Sequence, residues 1–188
     1  MKNARGQAMV ELALVLPLLI LLLLGGVEIS YALLDQHVVT KLTREGSNMI
    51  SRDATLQDAA VAMTKMGTRP VDFTTSSRVI FSVIKRVPTV GAPNFGKDIL
   101  YQRYAYGAFP SNSALTTRGS GSFGSAPNFQ ANNSDNDTNL QLTNLPANLL
   151  VTGGMLYVTE VFTRHTLITP FDRFGVTVPS TLYSIAYF

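Results

Sequence analysis

From Ala8 to Val27 the chain reads AMVELALVLPLLILLLLGGV, and this run constrains the fold more than any other feature. About twenty mainly apolar residues form a helix that spans a bilayer core of roughly 30 Å. Between Leu12 and Val27 no side chain is charged or able to hydrogen-bond. Pro17 lies inside the run. It leaves a carbonyl unpaired and tends to kink a helix, which membrane helices tolerate better than soluble ones. Lys2 and Arg5 precede the run. The positive-inside rule therefore puts the N-terminus in the cytoplasm and everything after the span on the far side. The stretch is longer than the roughly 7–15 apolar residues of a secretory signal. Leu24-Gly25-Gly26-Val27-Glu28 is also a poor match to the small-residue site that would end one.

The helical pattern does not stop at the end of the run. Tyr31, Leu34, Val38, Leu42 and Met49 recur at spacings of three, four or seven, with Asp35, Gln36, Lys41 and Arg44 on other faces. Such spacing predicts an amphipathic continuation. One helix from about Gln7 to about Arg52 is expected, in lipid first and packed on a domain after. Gly46 would weaken it locally or let another element approach closely.

Glu11 interrupts the apolar run near its start. A lone carboxylate at that depth costs on the order of 2–3 kcal/mol or more, so it either snorkels to the interface or meets a positive partner when chains pack. The string Arg5-Gly6-Gln7-Ala8-Met9-Val10-Glu11-Leu12-Ala13-Leu14-Val15-Leu16-Pro17 resembles the start of TadE-like proteins, the pseudopilins of the tight-adherence (Flp-type) pilus system. The resemblance is specific from Arg5 to about Ile29, weaker through Ser51, and weak again at Val158–Pro170. It implies a leader of residues 1–6 ending in Gly6, cleaved before Gln7 by a prepilin peptidase. It also implies Glu11 as the fifth residue of the mature chain, within the hydrophobic helix that Leu12 and Pro17 continue. Pilins of this system often carry Tyr after that Glu, where this chain has Leu12. That departure, and a length well beyond the major subunits, fit a minor component.

The resemblance further implies a structural role without catalysis or cofactor. Glu11 would offset the new amine of Gln7 in its own or a neighbouring chain. Two opposite charges 4 Å apart at an effective dielectric of about 20 attract by roughly 4 kcal/mol before desolvation. The implied partners are the prepilin peptidase, other pilin-like subunits met through the N-terminal helix, and inner-membrane lipid. No nucleic acid and no small-molecule substrate are expected. An alternative from another class is a membrane-tethered binding or adhesion protein that never enters a pilus and uses the segment Gly107–Gly154 to recognise a surface ligand.

After a break at Ser51–Thr55, Thr55 can cap a second helix, with Asp58 three residues on. Leu56, Ala59, Ala60, Met63 and Met66 would form its apolar face, and Gly67 and Pro70 would end it. Four segments then alternate apolar or aromatic residues at period two: Arg78–Val87, Ile99–Tyr106, Leu156–Thr166 and Thr181–Phe188. The expected fold is α+β and pilin-like: a long N-terminal helix and a short helix on an antiparallel sheet of about four strands. Residues 7–28 would be the membrane span and 29–188 the extracytoplasmic domain. Residues 107–154 shift to Gly, Ser, Asn, Thr and Pro, with few that could fill a core, and read as a flexible loop.

Other constellations are thin. Asp135, Asp137 and Asn139 alternate as the first ligands of calcium loops do, but no Gly follows at the sharp turn and no Glu closes the loop, so a solvated loop tip is expected. His37 and His165 have no second His or carboxylate at metal spacing. No nucleophile elbow or phosphate-binding loop occurs. Cysteine is absent, which excludes disulfides and thiolate sites. The net charge of +3 includes Lys2 and Arg5, and the other cations form no stripe of the kind nucleic acid requires.

Overall fold

The computed structural model describes residues 4–146, 149–169 and 180–188. Helix α1 runs unbroken over Ala4–Ser51, through Pro17. At 1.5 Å per residue it is about 72 Å long, more than twice a bilayer core. Helix α2 follows at Leu56–Met66, and the Thr55 hydroxyl accepts the Asp58 amide at 3.1 Å, as an N-cap should. Its buried face is Leu56, Ala59, Ala60 and Met63, whereas Met66 is exposed, so the expectation that Met66 fills the core is corrected.

Strands β1 (Ser77–Arg86), β2 (Asp98–Gly107), β3 (Met155–Arg164) and β4 (Thr181–Tyr187) form one sheet in the order β2-β1-β3-β4, every neighbour antiparallel. The alternation of strand side chains sends Val79, Phe81, Val83 and Val161 to one face. There they meet Val39, Leu42 and Ile50 of α1 and Leu56, Ala59, Ala60 and Met63 of α2. Gly46 lets α1 come close to the sheet. A Cβ there would stand 2.8 Å from both Met63 Sδ and Thr159 Cγ2.

The buried stripe of α1 is not quite the expected one. Glu28, Val39, Leu42, Thr43, Ser47 and Ile50 are buried, while Tyr31 and Leu34 are exposed and Val38 and Met49 half-buried. The apolar stripe read from sequence is rotated from the packed one, because Thr43, Gly46 and Ser47 turn inward for close approach and hydrogen bonding. Ser47 Oγ donates to the Ala186 carbonyl at 3.0 Å.

The largest correction concerns residues 107–154. The described residues of this segment, 107–146 and 149–154, fold over the second face of the sheet and bury Leu115, Ala131, Leu140 and Leu150. Ile84 and Val158 pack with Leu115 and Leu150, and Val87 and Ile99 with Ala131 and Leu140. Isolated bridges Gln102↔Gln130 and Ile99↔Gln141 cover the outer edge of β2. A 3-10 turn forms at Thr138–Leu140. The polar composition hid this because the backbone, not side-chain bulk, satisfies most of the segment. Strand β1 is thus buried on both faces, Ile80, Ser82 and Ile84 included.

Candidate functional site

The surface that departs most from a soluble protein is the projecting part of α1. Leu12, Leu14, Leu18 and Leu22 are each more than 60% exposed. Contiguous apolar exposure on this scale marks a membrane or protein contact. The best 18-residue window has a mean hydropathy of 2.6 and is 6% buried, so the helix is long and apolar enough to cross a membrane. Gly6 and Gln7 lie in its first turns. Glu11 is the sole charged side chain from Gly6 to Val27. It accepts one hydrogen bond, from Gln7 Nε2 at 3.0 Å, and is otherwise exposed. Leu12 and Pro17 share that exposed surface. Lys2 lies outside the described residues.

Where α1 leaves its exposed stretch, a buried polar junction fastens it to the sheet. The Glu28 carboxylate accepts the Thr169 amide at 2.9 Å, the Thr169 hydroxyl at 2.6 Å and the Ile168 amide at 3.2 Å. His165, at the end of β3, puts Nε2 3.1 Å from Glu28 Oε1 and Nδ1 2.8 Å from Asp35 Oδ2. Its side chain is 1% exposed. The imidazole thus sits between two carboxylates, with one ring nitrogen within hydrogen-bond distance of each. Such a cluster is costly to break by removing one member. Glu28 was invisible as a functional residue in the sequence, and His165 had no partner there. The two carboxylates are 137 and 130 residues away in the chain. The one available signal was Glu28 itself, a carboxylate directly after the apolar run.

A second buried polar cluster ties residues 107–154 to the sheet. Glu160 is fully buried and accepts the Ala114 amide at 2.8 Å, the Tyr183 hydroxyl at 3.0 Å and the Ser113 hydroxyl. Arg103 reaches Ser113 Oγ at 3.2 Å and the Leu115 carbonyl at 3.2 Å. Burial, reinforced by Glu160, holds the Tyr183 phenol well above its ordinary range. Tyr187 is raised for the same reasons. Burial lowers Arg103, with Glu160 acting against it.

Asp135, Asp137 and Asn139 are engaged within the loop. Asp135 accepts the Thr89 and Ser134 hydroxyls at 2.7 and 3.1 Å. Asp137 caps the 3-10 turn by accepting the Asn139 amide at 3.0 Å. No group of three or more His, Cys, Asp or Glu among the described residues is arranged to hold a metal ion. His37 is exposed on α1, on a different face from the junction.

Fold and surface together define a class: an α+β domain carried on one helix of membrane-spanning length. A family model described as TadE-like protein matches residues 6–48, the family that the N-terminal string resembles. The matched segment holds Gly6, Gln7, Glu11, Leu12, Pro17, Glu28 and Asp35 and stops short of the sheet. The weak likeness at Val158–Pro170 falls outside it, and Pro170 lies outside the described residues. No curated protein and no solved structure matches the chain.

Proposed function

We propose that this chain is a structural minor pilin or pseudopilin of a tight-adherence (Flp-type) pilus system. A prepilin peptidase cleaves it between Gly6 and Gln7. It then sits in the bacterial inner membrane with its N-terminus in the cytoplasm and its α+β domain outside, and packs through α1 against other pilin-like helices. Its role is assembly, not catalysis. The carrying observation is Glu11: the one charged side chain in the exposed apolar stretch of α1 from Gly6 to Val27, five residues after Gly6 within a TadE-like segment. A carboxylate so placed is unfavourable in an isolated membrane helix and gains a function when a cation meets it at an interface. Burying the pair would set the register between helices, the best-attested use of such groups.

Intact mass after co-expression with the peptidase tests the reading. Loss of residues 1–6 is expected, with Gly6→Leu blocking it. Glu11→Gln should still insert but co-purify poorly with pilin-like subunits. A chain that keeps its first residues beside an active peptidase would exclude pseudopilin processing and favour a tethered binding protein instead. A reporter fused after Phe188 should be active only outside the cytoplasm.

A further inference from the structure

We propose that the end of the domain farthest from the projecting helix carries a binding cleft for an acidic saccharide, one bearing carboxylate or sulfate groups. The cleft encloses about 480 Å³ beside the β1–β2 hairpin, with Arg86, Lys97, Asp98, Arg118 and Thr143 in its wall. That volume lies within the roughly 300–1,000 Å³ of ordinary ligand sites.

Its charge is unbalanced toward the cation. Arg86 Nε and Nη2 hold Asp98 Oδ1 and Oδ2, each at 2.7 Å, a bidentate pair that fixes both side chains in the wall. Lys97 and Arg118 are exposed, and among the described residues neither is paired with a carboxylate. The nearby acids Asp135 and Asp137 belong to the adjoining loop and do not line the cleft. Both free cations rise from backbone that is already held. The Lys97 amide donates to the Asn94 carbonyl at 2.9 Å, and its carbonyl accepts from Val87 at 3.2 Å. The Arg118 amide donates to the Gln141 carbonyl at 2.9 Å, beside the bridge Thr117↔Leu142. The Arg118 fork suits a planar carboxylate or a sulfate edge, and Lys97 supplies a point charge.

The lining selects among anions. Among the described residues no aromatic ring lines the cleft, and with so few cations it offers nucleic acid neither stacking nor a phosphate track. An acidic peptide would dock most readily by adding to a free strand edge, but residues 107–154 already cover β2 through Gln130 and Gln141. A hydrated ligand with spaced oxyanions and hydroxyls fits the polar wall best.

Position agrees with a surface-facing role. Glu28 and His165 fasten α1 at the Arg164 end of β3, which pairs beside Ser77. Arg86 lies at the other end of β1, roughly 30 Å away at 3.3 Å per residue. If α1 is the membrane anchor proposed above, the cleft points away from the membrane. Binding itself needs neither processing nor assembly, so its failure and the failure of the pilin reading are separable.

The test is titration of the full chain in zwitterionic micelles at low salt, followed by calorimetry. The probes are oligogalacturonate, a sulfated heparin-derived oligosaccharide, inorganic sulfate, a neutral maltooligosaccharide and oligoglutamate. At least one acidic saccharide should bind saturably, and affinity should fall as salt rises. The double variant Lys97→Gln/Arg118→Gln should weaken it by about tenfold or more, the loss of two charged hydrogen bonds. A control of equal charge change, Lys41→Gln/Arg44→Gln on α1, should leave it unchanged. The proposal is overturned if the neutral sugar binds as tightly, if the double variant stays within about twofold of the parent, if sulfate alone binds, or if oligoglutamate binds better than either saccharide.

Discussion

Along one continuous helix, Leu14 and Leu22 are 74% and 72% exposed, while Val39 and Ile50 are 0% and 2% exposed. The backbone is the same, but the first half is apolar all round, whereas the second is apolar on one face and carries Asp35, Gln36, Lys41 and Arg44 on others. What differs is the spacing of small and polar residues. Between Val39 and Ile50, Thr43, Gly46 and Ser47 interleave with Leu and Val, so the helix can lie flush on a sheet. From Leu12 to Leu24 bulky apolar residues point in every direction, which no single flat neighbour can cover. Glu28 and His165 mark the change from one regime to the other.

The sharpest way to break this division is at the junction. Glu28→Ala should strand His165 and the Ile168 and Thr169 donors in a buried site, lowering stability by on the order of 3–5 kcal/mol. Chemical denaturation of the full chain in micelles would measure it. A midpoint that barely moves would mean α1 is held by its apolar stripe alone.

At the second face, Glu160→Ala should cost roughly 3 kcal/mol by leaving the Ser113 hydroxyl, the Ala114 amide and the Tyr183 hydroxyl without their shared acceptor. Protease should then cut near Ser113, which in the parent is tied down. The same variant sharpens an alkaline test. Tyr183 is raised in the folded protein, so its contribution is complete below the unfolded phenol value near ~10 and is lost as pH rises through the higher folded value. Phenolate absorbance should show Tyr183 ionising late, and earlier once Glu160 is gone.

Gly46→Val comes next. Its added atoms meet Met63 and Thr159, and overpacking of this kind costs about 1–3 kcal/mol. A lower melting temperature with unchanged membrane insertion is expected. The smallest effect belongs to the other half of the helix. Glu11→Leu should change domain stability by less than about 0.5 kcal/mol, since Glu11 is exposed and its one hydrogen bond among the described residues is to Gln7 of the same helix. A larger loss would show that the projecting helix folds back on the domain.

The sequence by itself determined the elements that local pattern controls. The long helix, the Thr55 cap, the short helix and the strands all follow from spacing within a dozen residues. Glu11 was legible because a charge in an apolar run stands out without any partner. Only the tertiary structure decided what long-range contacts control. The segment 107–154 is polar in composition, yet a few well-placed residues such as Leu115 and Leu140 suffice to seal a sheet face whose strands are already apolar. Glu28, Asp35 and His165 looked unrelated because their partners lie more than a hundred residues apart. Glu160 lies within the alternating segment Leu156–Thr166, and only its burial in the fold made it the peg that holds the covering loop. Periodicity records which way a side chain points from its own backbone, while the worth of a buried charge depends on neighbours that only the completed fold supplies.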